Sequence, residues 1–498
     1  MRMTHGKDVL KSEALAERLA RLEAFLDTAF HEGRAIHEVE RGVWKELLRM
    51  GRDCLSTFLA LHGSGDMGET VTLPDGAECQ RLHELHRRRY VSIFGEFELQ
   101  RTVYGTREGQ KIEFVPLDNR LHLPASDFSY VLQDWDQALC VEEAFGQVKS
   151  TVARMLELQQ SVGSLEHMNR EMAEKVSEYL VSRPVPPADE EGEIMVASAD
   201  GKGIVMRREP GQAAKVHRSK GDKASQKRMA TVGTAYTVDR YVRTPEQVLA
   251  ALFRDEPEKS RDRPRPCHKE VWASLPQDDG RFSGQPAVFT WLDWEIRWRN
   301  PGQQKETVYL CDGQETLWQD VQAKLPQENS VQVLDLLHVT PRLWKAAHVF
   351  FGENGKEVEP FVRERVLRVL QGQAKGVVRG LREMATKRQL TGSKKKTIRE
   401  ICGYLEKNLA RMRYDQYLAA GYPIASGAVE GACRHLVKDR MERAGMHWTA
   451  AGAQAMLDLR SLFISNQWEE YQAYRIERET QRLYPYRQAA EPAYGMAS

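Results

Sequence analysis

Cysteine is scarce and scattered in this sequence. The seven, Cys54, Cys79, Cys140, Cys267, Cys311, Cys402 and Cys433, never fall within twenty residues of one another. That excludes a CxxC zinc or redox motif, and the spacing is not that of a disulfide framework. Long apolar runs are missing too. No stretch approaches the ~18 residues of a membrane helix, and the first residues lack the apolar core of a secretion signal. Net charge is almost absent, with 72 Lys and Arg against 71 Asp and Glu. A uniformly basic protein is thereby excluded, whereas local basic patches are not. There is no internal repeat of fixed period. Hydrophobic residues at 41% and charged residues at 29% are an ordinary globular composition, not a disordered one. The 498 residues suffice for about three or four domains. The expectation is a cytoplasmic protein with no membrane partner.

What is present changes character along the chain. Residues 1–63 carry helical stripes, Leu15, Leu19, Leu22, Phe25 and Leu26, then Val43, Leu47, Leu48, Leu55, Phe58 and Leu59. Residues 64–123 switch to a period of two and predict a small β-rich module, with a strand pair over Tyr90–Tyr104 broken at Gly95. Residues 124–182 return to helix, and Gly163-Ser164 is the expected turn of a helix-turn-helix. The Pro- and acid-rich stretch 183–193 reads as a linker. Beyond it, short apolar runs alternate with helical patterns, at Ile194–Ala199, Thr231–Val238, Thr307–Cys311 and Val331–Leu334. Leu317, Val321 and Leu325 between the last two mark a helix face, so strand, helix and strand form a βαβ unit with parallel strands. The class expected is α/β. Residues 353–420 read as a basic helical insertion, 421–474 as closing helices and 475–498 as a charged tail.

Three acids stand out by position. Asp200 closes a strand in Ser-Ala-Asp-Gly, Asp312 closes another in Leu-Cys-Asp-Gly, and Glu430 opens a helix in Ser-Gly-Ala-Val-Glu-Gly. Carboxylates at the ends of parallel strands face the crevice where α/β proteins bind ligands. Two strand aspartates and a helix glutamate offer the hard oxygens that suit Mg²⁺. Each feature alone has a plainer reading: an Asp-Gly turn, or a solvated helix glutamate.

The surrounding phrases add to this. Pro423 to Leu459 reads PIASGAVEGACRHLVKDRMERAGMHWTAAGAQAMLDL, and it resembles the C-terminal signature of DDE transposases of the ISKra-type insertion-sequence family. ASADGKGI around Asp200, VYLCDGQETLW around Asp312, LDLLHV around His338, HRRRYVSIFGEFELQRTVY and PLDNRLHLP resemble the same family, so the likeness spans about His86 to Trp468. The resemblance implies an RNase H-like catalytic domain beginning over 194–352, interrupted by the 353–420 insertion and closed by 421–474. The helical and β-rich N-terminal regions would then bind DNA. It implies that Asp200, Asp312 and Glu430 are the catalytic and metal-binding triad for two Mg²⁺ ions, with Mn²⁺ able to substitute. Asp335 and His338 form an Asp-x-x-His pattern implying a supporting role, and Asp335 is the alternative second ligand because it too closes a strand. The implied partner is double-stranded DNA, at element ends and target, bound by a homo-oligomer. The implied place is the bacterial cytoplasm, on the nucleoid. An RNase H-like nuclease without strand transfer, or a domesticated transposase acting as a DNA-binding or assembly protein, are the alternatives. The sequence departs from the family twice. Only Cys79, His83 and His86 stand where relatives carry a zinc ribbon, so zinc is not expected. His447 precedes Trp448 where the pattern has Arg.

Charge is segregated despite the neutral total. Residues 201–230 hold nine basic residues against Glu209 and Asp222, including Lys202, Arg207, Arg208, Lys215, Arg218 and Lys220. Residues 373–413 hold twelve against three, including Lys394, Lys395 and Lys396. Such blocks suit phosphate binding by counterion release. At helical spacing Glu430, Arg434, Lys438 and Met441 share one face, which would set Arg434 and Lys438 on phosphates beside Glu430. Trp448 either stacks on a base or packs in the core.

Overall fold

The helical stripes of the first sixty residues form α1 (Glu13–His31) and α2 (Ile36–Leu61) in the computed structural model, which describes residues 13–107, 112–207, 227–255, 263–443 and 445–486. The chain divides into two units: Met1–Met168 with Glu469–Ser498, and Asn169–Trp468.

In the first unit, β1 (Thr70–Thr72), β2 (Glu78–Arg81), β5 (Tyr104–Gly105) and β6 (Ile112–Phe114) form one antiparallel sheet in the order β1-β2-β5-β6. The hairpin of β3 (His86–Ser92) and β4 (Gly95–Arg101) forms a second. The expected strand pair is thus present, broken at Gly95, where φ is 124°. Helices α3 (Pro116–Leu121), α4 (Tyr130–Cys140), α5 (Phe145–Leu156) and α6 (Val162–Ala173) follow. Leu48, Val91, Leu132, Val148, Val152 and Leu165 form a shared core. Gly163-Ser164 is not the turn between helices. Both residues lie in the first turn of α6, because the Ser161 hydroxyl accepts the Ser164 amide at 2.9 Å and starts the helix there. The break lies earlier, at Glu157, whose φ is 56°.

The second unit follows with α7 (Val176–Ser182), β7 (Ile194–Val205), β8 (Lys227–Val238), α8 (Pro245–Phe253), β9 (Cys267–Ser274) and α9 (Gln285–Arg299). Next come β10 (Glu306–Cys311), α10 (Glu315–Lys324), β11 (Ser330–Leu334), α11 (Leu336–Phe351), α12 (Val358–Leu370), α13 (Ala374–Lys387), α14 (Gly392–Lys407) and α15 (Tyr414–Ala419). A helix then runs through α16 (Gly427–Ala432), a π-helical stretch Cys433–Lys438 and α17 (Asp439–Met441), followed by α18 (Ala450–Ile464); α19 (Trp468–Leu483) belongs to the first unit from Glu469 on.

A five-stranded mixed sheet, in the order β11-β10-β7-β8-β9, organises this unit. β7, β8 and β9 pair antiparallel, while β10 joins β7 and β11 joins β10 in parallel. Both faces are covered, which explains the continuous apolar runs of the strands. Ile194, Val196, Val308, Leu310 and Leu334 face α11, α12, α13, α14 and α15. Met195, Ala197, Ala199, Tyr309 and Cys311 face α9 and α10. The expected basic insertion is therefore also part of the core: Val377, Val378, Leu381, Ile398, Ile401 and Leu405 are buried in the cluster that the sheet shares with its helices, and the exposed helix faces carry the cations. The stretch 183–193 is likewise tied down. Arg183 pairs with Glu270 at 2.7 Å and with Glu295, and Glu191 pairs with Arg299 at 2.8 Å, all with side chains no more than 12% exposed. β9, an edge strand, is covered by α18: the Gln454 amide donates to the Ala273 carbonyl at 3.1 Å and its oxygen accepts from Leu275 at 2.8 Å. No helix among the described residues is long and apolar enough to cross a membrane.

Candidate active site

The parallel pairing aligns the strand-end acids. Tyr309 pairs with Ala197 and with Gln332. Continuing that register by three residues sets Asp200, Asp312 and Asp335 side by side on three neighbouring parallel strands. Asp312 and Asp335 each lie one residue beyond the end of their strand, and the Asp335 amide donates to the Cys311 carbonyl at 2.9 Å. Asp200 differs from expectation. It does not end β7, which runs on to Val205 because β8 continues to pair with it; only the pairing with β10 stops short of Asp200.

Each acid is held differently. The Asp200 carboxylate accepts the Gly201 amide at 2.7 Å through Oδ1 and the Cys433 thiol at 3.5 Å through Oδ2. Asp312 Oδ1 accepts the Gln314 amide at 2.8 Å, and the Asp312 carbonyl accepts the Trp318 indole N–H at 2.6 Å. Gly313 is needed for close approach, since a Cβ there would lie 2.2 Å from the Tyr404 ring. Asp335 is fully buried and is the most engaged: it caps α11 by accepting the Leu337 amide at 2.9 Å, and it accepts both the amide, at 3.2 Å, and the hydroxyl of Ser426. Through Ser426 it fixes the start of α16, and so the position of Glu430 one turn later.

His338 stands between two of the acids. Its Nε2 lies 3.8 Å from Asp335 Oδ2 and 3.8 Å from Glu430 Oε1. Ligand atoms of Asp335, His338 and Glu430 all lie within 4.8 Å of one another, close enough to share one cation. The expected triad is thus distributed: Glu430 clusters with Asp335 and His338, while Asp312 stands in register with Asp200 on the neighbouring strand. The electrostatics join the two groups. Burial raises the Asp312 carboxyl above its ordinary range and the Asp200 charge adds to this, opposed by the Gln314 amide and by His338. Burial also raises Glu430, with further increments from Asp335 and Asp200 and an opposing one from His338. Arg342 also opposes the rise of Asp312, so four carboxylates face one imidazole and one guanidinium, an excess of negative charge.

The expected basic contacts are mixed. Lys394, Lys395 and Lys396 are exposed on α14, with Lys396 3.9 Å from Glu400. Lys202 is 3.9 Å from Glu442, and Arg207 is exposed. Arg208, Lys215, Arg218 and Lys220 lie outside the described residues. Arg434 and Lys438 are exposed, Arg434 lying 3.7 Å from Asp439. Met441 does not share their face. It is fully buried, because the π-helical stretch Cys433–Lys438 changes the phase between Glu430 and the helix end. Trp448 packs rather than stacks: it is 8% exposed, and its indole donates to the Met441 carbonyl at 3.2 Å. Sequence reasoning missed Cys433, Ser426 and Tyr404, which touch or buttress the acids. Only Ser426 carried a local signal, its place just before the helix that bears Glu430.

No protein-family model matches the chain. No curated protein matches it. Among solved structures, the strand transfer complex of the Drosophila P element transposase aligns over 73% of this chain and 82% of that chain, at 10% identity and a TM-score of 0.22. A score that low is a distant likeness and does not establish a shared fold.

Proposed function

We propose that this chain is a DNA transposase of the DDE kind, with an RNase H-like catalytic domain that cleaves phosphodiester bonds at element ends and joins the freed 3′ ends to target DNA. The observation that carries the reading is the line of Asp200, Asp312 and Asp335 across neighbouring parallel strands, faced by Glu430. The order of elements supports it as well: a first acid on the first strand, a second after a later strand, then helix, strand and an acid-bearing helix. The donor set fits Mg²⁺, with Mn²⁺ as substitute, because it is dominated by hard carboxylate oxygens whose mutual repulsion a divalent cation relieves. Two such ions, when bound, activate the attacking oxygen and stabilise the leaving one. Asp200, Asp312 and Glu430 are the proposed ligands. Asp335 positions the Glu430 helix through Ser426, and stands as the alternative second ligand. His338 offers a proton or a hydrogen bond between Asp335 and Glu430. The exposed cations of α14, Arg434 and Lys438 are the proposed phosphate contacts, and a homo-oligomer on DNA is the proposed working form.

Glu430→Gln tests this reading. It removes one charge with almost no change in volume, so the fold survives. With labelled element ends and Mg²⁺, cleavage and joining should fall by about a hundredfold or more, while gel-shift affinity stays near wild type. Cutting at the wild-type rate would sink the assignment of Glu430. Loss of both cutting and binding would show that it is structural.

A further inference from the structure

A second concave feature lies on the same unit, away from the carboxylates. Gln327, Ser330, Gln332, Lys407, Arg411 and Arg413, with Tyr417 and Tyr422, line a cleft of about 640 Å³ along the open edge of β11. At ~3.3 Å per residue, Gln332 and Ser330 lie ~10 and ~17 Å back along the strand from Asp335. Three cations line the cleft and no carboxylate does. Lys407 and Arg413 are exposed.

Arg411 is the informative residue. Its guanidinium is partly buried, and the groups it bonds to or stacks on are all neutral: Gln332 Oε1 at 2.9 Å, Asn408 Oδ1 at 3.3 Å and the Trp318 ring, 4.3 Å from its centroid. Arg183 and Arg299, in the same unit, lie against carboxylates instead. Glu315 acts on it through space, but the groups that hold the guanidinium are neutral and two more cations line the cleft, so an anion there would meet a surplus of positive charge. A guanidinium held rigidly in this way matches phosphate oxygens well.

We infer that this cleft binds a phosphate group, with Arg411 as its fixed contact and Lys407 and Arg413 as its flanking charges. The group is either a phosphodiester of a bound strand or a free phosphate, since both present the same oxygens. The cleft also touches the candidate active site through one side chain. Trp318, on which Arg411 stacks, donates its indole N–H to the Asp312 carbonyl.

The test is calorimetric titration of the full chain with pyrophosphate, without divalent cations, at about 50 mM salt. Saturable one-site binding is expected. Lys407→Ala with Arg413→Ala should weaken it roughly fivefold or more, and Arg411→Gln by a similar factor. The pair Lys345→Ala with Lys356→Ala, exposed and outside the cleft, should leave it unchanged. Both sites of the Lys407/Arg413 pair are exposed, so a folding defect in Arg411→Gln alone does not rescue or defeat the inference. No saturable binding, unchanged affinity in the cleft pair, or an equal loss in the control pair would overturn it. A labelled oligonucleotide separates the two sources. Displacement by pyrophosphate from wild type but not from the cleft pair assigns the phosphate to a strand; pyrophosphate binding without displacement assigns it to a free ligand. Glu430→Gln should bind pyrophosphate like wild type, so failure of the catalytic reading and failure of this one are distinguishable.

Discussion

Two clusters of charge in the second unit are built from the same kinds of residue and reach opposite ends. Glu191, Glu270 and Glu295 surround Arg183 and Arg299, and every carboxylate there lies within 4.0 Å of a guanidinium. At the other cluster the His338 imidazole stands 3.8 Å from both Asp335 and Glu430, and Asp200 and Asp312 lie within electrostatic reach. In the first set every carboxylate is paired, three against two guanidiniums, and buried, and its work is to hold strands and helices together. The second retains a surplus of negative charge, four carboxylates facing His338 and Arg342, although Asp335 also caps α11 and holds Ser426. A charged cluster left incomplete by the protein points to something that the protein binds.

The contrast can be broken first on its buried side. Arg299→Ala leaves Glu191 without its guanidinium and Glu295 with Arg183 alone, and should cost about 3–5 kcal/mol in chemical denaturation. A loss below about 1 kcal/mol would mean that the cluster is no more structural than a surface pair. A third kind of carboxyl sharpens the contrast. Asp136 in the first unit is fully buried with no cation, its Oδ2 accepting only the Gln160 amide at 2.7 Å, and burial raises it to about 7. A raised carboxyl keeps its proton in the folded state, so its stabilising share is whole below its unfolded pKa near 4 and is lost as pH rises through about 7. Asp136→Asn should therefore stabilise the protein by about 1–2 kcal/mol at pH 8 and not at pH 4, as read by paired thermal melts. The smallest effect belongs to the open cluster. Asp312→Asn should raise stability by about 0.5–1 kcal/mol at pH 8 without divalent cations, because it removes a repelled charge. Mg²⁺ should then raise the melting temperature of wild type more than that of the variant. An equal response to Mg²⁺ in both proteins would remove Asp312 from the proposed ligands.

The sheet and its acids were legible because strands that are buried on both faces read as apolar runs, and an Asp-Gly stops such a run. Ile194–Ala199, Thr307–Cys311 and Val331–Leu334 all fall within strands of the sheet. β9 was not legible. Cys267–Ser274 alternates weakly and follows an Arg- and Pro-rich stretch, and its partner for half of its exposed edge is a helix more than 170 residues away in sequence. The double role of the basic helices was also hidden, since the charges of α13 and α14 outnumber the valines, leucines and isoleucines that they bury. The placing of Met441 failed for a different reason: a 3.6-residue period cannot foresee a turn that departs from it.

That departure has a consequence for how the chain tolerates change. The Cys433–Lys438 stretch inserts the equivalent of one extra residue into an otherwise regular helix. Deleting one residue within it would restore the regular period. Everything after it would then rotate by about 100° relative to Glu430. Met441 and the buried Arg440 would swing out of the core, or else the Glu430 end would swing away from the strands. Point substitutions along this helix are thus a milder insult than any change in its length. The region carrying Glu430 should accept exchange of its exposed residues freely while admitting almost no gap.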